Sequence, residues 1–282
     1  MTSYPLYDIG GAGPVLHLAV ANGFPPHTYR PLLEPLTDAY RVVSLPPRAL
    51  WPGIGAPPEQ PGSWRELADD LLAGLRQHDL TGVIAVGHSF GGVASLLAAL
   101  ADPQRFHALI LLDPTILPPP VMDAIRTVRQ QNGELRLPLV DGALKRRSRF
   151  ADYGEAFAYW RGKPLFSDWT DSALHLYTES MTRPAPDGGL ELTWNPLWEA
   201  YYYQSIYTEV WDDLPRLDGL LPILVVGGET TDTFVTESRD LVRKLLPHAT
   251  HATVSGRGHL FPHSAPAETR RIIRGWLNST GL

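Results

Sequence analysis

Cysteine is absent from this sequence of 282 residues. That absence excludes a disulfide framework, thiolate metal sites and a cysteine nucleophile together. Lysine is scarce, and the formal net charge is −6. Because proteins that bind nucleic acid usually carry a basic excess, we expect no nucleic-acid partner. The single basic run, residues 145–149, is short and suits a solvated face.

Long apolar runs are also missing. Since no apolar stretch approaches about 18 residues, the sequence predicts no transmembrane helix and no membrane partner. The first residues lack a basic segment followed by an apolar one, so we expect no secretory signal and a cytoplasmic location. What remains is ordinary for a globular chain, with 44% hydrophobic and 19% charged residues.

Apolar runs alternate with helix-length segments, and this pattern predicts an α/β fold with a mostly parallel central sheet flanked by helices. Buried strands are predicted at residues 14–21, 41–45, 82–86, 108–112, 222–226 and 249–255. Helices are predicted at residues 29–40, 63–78, 93–101, 236–246 and 265–277.

The pattern changes after the strand that ends near Leu112. From residue 115 to residue 207 no clear run for a buried strand occurs, and helical pieces separated by proline and glycine fit best. We therefore predict a core domain of residues 1–114 and 208–282, interrupted by a helical cap at residues 115–207.

The segment Gly87–Gly91, with the sequence GHSFG, matches the pattern G-x-S-x-G. It lies between an apolar strand and an apolar helix, where such a turn lifts the serine hydroxyl out of the sheet. The turn is so sharp that the residues flanking it must be small. In this context the motif predicts Ser89 as a nucleophile.

A serine hydroxyl needs a base within hydrogen-bond reach. His259 is the best placed of the ten histidines, in a glycine-rich turn after the last strand. An acid must then orient the imidazole, and we predict Asp232, which follows the preceding strand. Glu229 in the same loop and Asp113 after an earlier strand are alternatives, although a turn role suits Asp113 better.

The elbow, the chain order of nucleophile, acid and base, and the helical insertion together resemble an α/β-hydrolase-fold enzyme over nearly the whole chain. Residues 22–25 are similar to the family's His-Gly-x-Pro oxyanion loop, with Asn22 in place of histidine. The resemblance implies that the backbone N–H groups of Phe24 and Phe90 hold the developing oxyanion. The chain departs from the family at residues 45–50, where only Arg48 of Asp-x-Arg-Gly-x-Gly remains.

These residues predict a serine hydrolase of the carboxylic-ester type, acting on a small, largely apolar ester or related acyl compound with no cofactor and no metal. Serine at the nucleophile position disfavours epoxide hydrolase and dehalogenase chemistry. The same triad would serve a lactonase, a thioesterase, an amidase or a C–C bond hydrolase. A small-molecule sensor without turnover is the alternative of a different class.

Aromatic residues of the predicted cap are candidates for a substrate pocket, and ordinary packing of cap on core is the competing interpretation. The candidates are Trp194, Trp198, Tyr201 and Tyr202. The expected partner is a small-molecule substrate, and the sequence carries no signal for an oligomeric state.

Overall fold

The computed structural model describes residues 3–131 and 137–282. The strands are β1 (Tyr7–Gly10), β2 (Val15–Ala19), β3 (Arg41–Ser44), β4 (Val83–His88), β5 (Phe106–Leu112), β6 (Arg149–Phe150), β7 (Thr182–Pro184), β8 (Leu190–Leu192), β9 (Ile223–Gly228) and β10 (Thr250–Val254).

The helices alternate with these strands in the core and fill most of the inserted segment. They are α1 (Arg30–Leu33), α2 (Arg65–Gln77), α3 (Phe90–Ala101), α4 (Pro119–Gln130), α5 (Pro138–Leu144), α6 (Tyr153–Arg161), α7 (Asp171–Met181), α8 (Pro196–Gln204), α9 (Val210–Leu217), α10 (Thr236–Leu245), α11 (Phe261–Ser264) and α12 (Pro266–Thr280). Short 3-10 turns lie at Pro26–Tyr29, Glu34–Leu36, Arg48–Leu50, Pro103–Arg105 and Pro164–Phe166.

The main sheet of the described residues has seven strands in the order β1-β3-β2-β4-β5-β9-β10. All neighbouring strands are parallel except β1, which pairs antiparallel with β3 at the edge. The predicted mostly parallel sheet is confirmed, and all six predicted strands form. Strand β1 was not predicted, because it is short, only partly buried and rich in polar and glycine residues.

Parallel pairing brings the ends of the central strands to one edge of the sheet. His88 at the end of β4 is opposite Leu112 at the end of β5, and Leu112 is opposite Val226 in β9. The residues that follow β4, β5 and β9 therefore emerge side by side, where ligands of open parallel sheets usually bind.

The segment from residue 115 to residue 207 is not wholly helical. Alongside α4–α8 it contains a second sheet of three antiparallel strands in the order β6-β8-β7, counted within the described residues. Each of these strands is only two or three residues long. Runs so short leave no alternating pattern that a sequence could reveal.

None of the helices within residues 3–131 and 137–282 combines the length and the hydropathy that crossing a membrane requires. Helix α3 is nearly all buried, because it lies between the sheet and the helices outside it. Helix α2 instead buries one face, through Ala68, Leu71, Leu72 and Leu75.

Candidate active site

Ser89 lies in a strained turn between β4 and α3. Its φ of 59° and ψ of −125° are uncommon for a residue with a side chain. The turn forms because its flanks have no Cβ: one added to Gly87 would lie 2.5 Å from the Gly91 carbonyl oxygen. One added to Gly91 would lie 2.4 Å from the carbonyl oxygen of Ala19. Neither glycine can therefore be replaced without moving backbone.

The structure brings Ser89 and His259 together, as the sequence predicts. Ser89 Oγ lies 3.0 Å from His259 Nε2, although 170 residues separate them. On the other side of the ring, His259 Nδ1 lies 2.7 Å from Asp113 Oδ2. Hydroxyl, imidazole and carboxylate thus form one hydrogen-bonded chain at the edge of the sheet.

The structure corrects the predicted acid. Asp113, rather than Asp232, contacts His259. Asp232 is exposed, and its Oδ1 accepts a hydrogen bond from the hydroxyl of the adjacent Thr233 at 3.2 Å. Glu229 is exposed as well, and it accepts from the N–H of Gly256 at 2.6 Å.

Backbone geometry explains why Asp113 takes this position. It follows β5 directly and has a φ of 43°, a left-handed conformation that aspartate tolerates better than most residues. Its carboxylate is fully buried. Oδ1 accepts the N–H of Gly228 at 2.8 Å, and Oδ2 accepts the hydroxyl of Thr231 at 2.5 Å. The β9 loop that was predicted to supply the acid instead supplies donors that hold it.

A second buried hydrogen-bond chain runs behind the triad. His88 Nε2 lies 3.0 Å from the carbonyl oxygen of His259. Since a carbonyl only accepts, Nε2 carries the proton and Nδ1 accepts from the hydroxyl of Tyr29 at 2.7 Å. The Tyr29 oxygen accepts in turn from the N–H of Ala21 at 2.9 Å. These hydrogen bonds join the loop of His259 to the segment before Phe24.

Burial keeps His88 neutral. Burial, reinforced by His259 and His263, holds the pKa of His88 well below its ordinary value. Burial also lowers the pKa of His263 to about 3. Both rings are therefore uncharged at neutral pH, and their lowered pKa values make them poor proton acceptors.

The two predicted oxyanion donors differ in the structure. Phe90 heads α3, so its N–H has no acceptor within the helix. The N–H of Phe24 donates to the carbonyl of Ala21 at 3.1 Å. It would reach an oxyanion only by sharing or leaving that bond. The adjacent Asn22 is held by helix α8, since its Nδ2 donates to the carbonyl of Glu199 at 3.0 Å.

The ring of Phe24 lies among aromatic rings that the sequence did not place beside it. Its centroid is 5.5 Å from that of Tyr177 and 6.2 Å from that of Trp169. Trp169 stacks on His263 at 4.7 Å with an interplanar angle of 11°. Aromatic side chains from 145 or more residues downstream thus cover the Phe24 loop.

The four aromatic residues predicted as pocket candidates are all buried: Trp194, Trp198, Tyr201 and Tyr202. Their contacts favour the packing interpretation. Trp198 Nε1 donates to the carbonyl of Gly55 at 2.8 Å, and the Tyr201 hydroxyl lies 3.2 Å from the carboxylate of Glu66. A cavity lined in part by Trp198, Tyr201 and Tyr202 measures about 10 Å³, which is room for about one water molecule.

One residue of the basic run is not on a solvated face. The Arg146 Nε donates to Glu199 Oε2 at 2.8 Å, and a second nitrogen of the same guanidinium donates to Oε1. Glu199 is only 2% exposed, and burial raises its pKa although Arg146 opposes that change. A Cβ added to Gly23 would lie 3.5 Å from Glu199 Oε1. The pair therefore sits directly against the Phe24 loop.

A model of the alpha/beta hydrolase family matches residues 15–272. The chain belongs to the alpha/beta hydrolase family. The match covers every strand of the main sheet except β1, together with the strand–turn–helix at Ser89 and the His259 loop.

Individual hydrolases resemble the chain at modest sequence identity. A 2-(acetamidomethylene)succinate hydrolase of Mesorhizobium japonicum is 23% identical over 275 residues, covering 95% of this chain and 90% of that protein. A type I acyl-CoA thioesterase of Penicillium brevicompactum is 34% identical over 113 residues, covering 35% of this chain and 26% of that protein.

Solved structures of alpha/beta hydrolases share the fold. The crystal structure of an E-2-(acetamidomethylene)succinate hydrolase superposes with a TM-score of 0.77 and 20% identity, covering 97% of this chain and 94% of that one. An esterase of M. tuberculosis superposes with a TM-score of 0.73 and 18% identity, covering 95% of this chain and 86% of the esterase.

Proposed function

We propose that this protein is a serine hydrolase that cleaves a small, largely apolar ester or related acyl compound through an acyl-enzyme. The observation that carries the proposal is the unbroken hydrogen-bond chain from Ser89 Oγ through His259 to the buried carboxylate of Asp113. A hydroxyl, an imidazole and a carboxylate in this order are the parts that acyl transfer requires.

In the first half of the reaction, His259 Nε2 takes the proton of Ser89 as Oγ attacks the substrate carbonyl carbon. Asp113 holds the imidazole with its proton on Nδ1 and stabilises the imidazolium that forms. The N–H of Phe90, joined by that of Phe24 if it shares its bond to Ala21, donates to the developing oxyanion. His259 then protonates the leaving group, and the acyl group stays on Ser89.

In the second half, His259 Nε2 takes a proton from water, and the water oxygen attacks the acyl carbon. Collapse of the tetrahedral intermediate breaks the bond to Ser89 Oγ, which recovers its proton from His259. The acid product leaves, and the enzyme returns to its starting state. Besides the chain and the substrate, these steps need only water.

We further propose that residues 115–207 act as a cap on a core of residues 1–114 and 208–282. Ser89 is only 8% exposed, so substrate must pass beneath the segment that covers it. The aromatic rings of Phe24, Trp169 and Tyr177 favour an apolar acyl group. The Arg146–Glu199 pair is internally neutralised and offers no free charge to an ionic substrate.

A panel of p-nitrophenyl esters with acyl chains of two to eight carbons tests the proposal, with thioester and anilide analogues to identify the preferred bond. We expect steady turnover that is highest for short chains and falls at least about 10⁴-fold in Ser89→Ala. Circular dichroism of the variant checks that it folds.

Covalent labelling separates the proposal from the sensor alternative. A fluorophosphonate probe followed by intact-mass measurement should add one phosphonyl group to the wild type and none to Ser89→Ala. Labelling without turnover on any member of the panel would favour a sensor. Turnover that survives in Ser89→Ala would contradict the serine mechanism itself.

A further inference from the structure

Thr115 contacts the nucleophile twice. Its hydroxyl oxygen lies 3.0 Å from Ser89 Oγ, and its backbone N–H donates to the Ser89 carbonyl at 3.2 Å. Thr115 follows Asp113 by two residues, so a single short loop after β5 delivers both side chains. Neither G-x-S-x-G nor the order of the triad points to this residue, and the mechanism above does not use it.

The direction of the hydrogen bond between the two hydroxyls follows from counting protons. Thr231 Oγ1 accepts from the N–H of Thr233 at 3.1 Å and gives its own proton to Asp113. Both carboxylate oxygens of Asp113 are therefore acceptors, and His259 Nδ1 must donate to Oδ2.

The donor and the acceptor of each remaining hydrogen bond then follow. A neutral imidazole with its proton on Nδ1 has a bare Nε2, so the hydroxyl of Ser89 donates to it. Ser89 has no second proton. The hydroxyl of Thr115 must therefore be the donor in its bond to Ser89 Oγ.

A donor aimed at Oγ affects the two halves of the reaction differently. During acylation it holds Oγ in place but draws electron density from the attacking lone pair. During deacylation the bond between the acyl carbon and Oγ breaks, and its electron pair moves onto Oγ before the proton of His259 Nε2 arrives. A hydroxyl donating at 3.0 Å stabilises that growing charge.

We propose that Thr115 is a further catalytic residue, which donates a hydrogen bond to Ser89 Oγ and accelerates departure of Oγ from the acyl carbon in deacylation. The proposal rests on the serine mechanism proposed above. It adds a step-specific role that the triad alone does not supply.

Thr115→Val tests it, because valine keeps the shape of threonine and removes the hydroxyl. Acyl-enzyme formed from p-nitrophenyl acetate is followed by acid quench and intact mass, so that its decay is measured directly. We expect decay to slow about tenfold, equivalent to about 1.4 kcal/mol. Acylation, measured as kcat/KM, should change less than about threefold.

Thr115→Ser is the matched control and should restore the decay rate, since it returns the hydroxyl. Thr115→Ala serves as a second hydroxyl-free variant if valine perturbs folding. Decay at the wild-type rate in the hydroxyl-free variants, or an equal loss in both steps, would overturn the role of Thr115. Failure of the proposed function looks different, because the wild type would then form no acyl-enzyme at all.

Discussion

The turn that carries Ser89 and the segment from residue 115 to residue 207 are held in place by different forces. Backbone sterics fix the turn, where glycines at fixed spacing leave no room for a Cβ. The segment from residue 115 to residue 207 depends on contacts between side chains distant in sequence. Phe24 meets Trp169 and Tyr177, and Arg146 pairs with Glu199 against the loop of residues 22–25.

This difference teaches where chemistry and selectivity can change. A turn dictated by backbone contacts either forms or does not form. The residues that flank Ser89 can therefore be substituted hardly at all without losing the turn. Contacts between side chains, such as those of Phe24 with Trp169 and Tyr177, can be repacked while the hydrogen bonds of Ser89, His259 and Asp113 keep their geometry. The following predictions test that contrast.

Gly91→Ala should produce the largest effect. Its Cβ would lie 2.4 Å from two backbone carbonyl oxygens, so we expect a loss of more than about 3 kcal/mol in the free energy of unfolding. Gly142→Ala is the matched control in α5, where an added Cβ meets nothing within 4 Å. It should be neutral or stabilising by up to about 1 kcal/mol. Urea unfolding measures both, and equal effects at the two sites would remove the contrast.

Arg146→Met should come next, because it leaves the carboxylate of Glu199 buried without its partner. We expect a loss of about 3 kcal/mol in the free energy of unfolding. The double variant Arg146→Met with Glu199→Leu should recover much of that loss, since an apolar pair can replace a buried ion pair. A double variant no more stable than the single one would show that the attraction between the two charges itself stabilises the packing against the loop of residues 22–25.

The pH dependence of stability should be smaller but still measurable. Burial lowers the pKa of His17 in β2 to about 3, whereas an unfolded histidine titrates near about 6.5. Between these values the unfolded state binds the extra proton, so stability falls as pH falls through this window.

His17→Gln keeps an acceptor for the N–H of Leu45, which His17 Nε2 accepts at 3.0 Å, and removes the titration. From pH 7 to pH 5 the wild type should lose about 2 kcal/mol more than this variant. His175→Gln, at an exposed histidine of α7, is the control and should keep the wild-type profile. Parallel wild-type and His17→Gln profiles in urea would contradict a buried neutral His17.

The same contrast explains what could be predicted from the sequence. The turn between strand and helix at residues 87–91 is predicted correctly, because the constraint is local and tied to the spacing of the glycines. The central strands are read correctly because they are buried on both faces and appear as apolar runs. The contacts of Tyr177, Trp169 and Arg146 beside the loop of residues 22–25 are missed, because only the folded chain brings these residues there.

The acid shows where spacing stops being informative. Asp113 and Asp232 each follow a parallel strand, and β5 and β9 are neighbours in the sheet. Both aspartates are therefore delivered to the same edge. The choice depends on the φ of 43° at Asp113 and on the donors Gly228 and Thr231 that surround its carboxylate. None of these leaves a sequence motif.

The most direct test of the account compares Asp113→Asn with Asp232→Asn. An amide at residue 113 would donate to His259 Nδ1 and leave the proton on Nε2, which could then no longer accept from Ser89. We therefore expect kcat on the preferred p-nitrophenyl ester to fall about 10⁴-fold in Asp113→Asn. Asp232→Asn should retain the wild-type rate within about twofold, in keeping with an exposed surface position. A folded Asp113→Asn variant with full activity, beside an inactive Asp232→Asn, would contradict the triad of Ser89, His259 and Asp113.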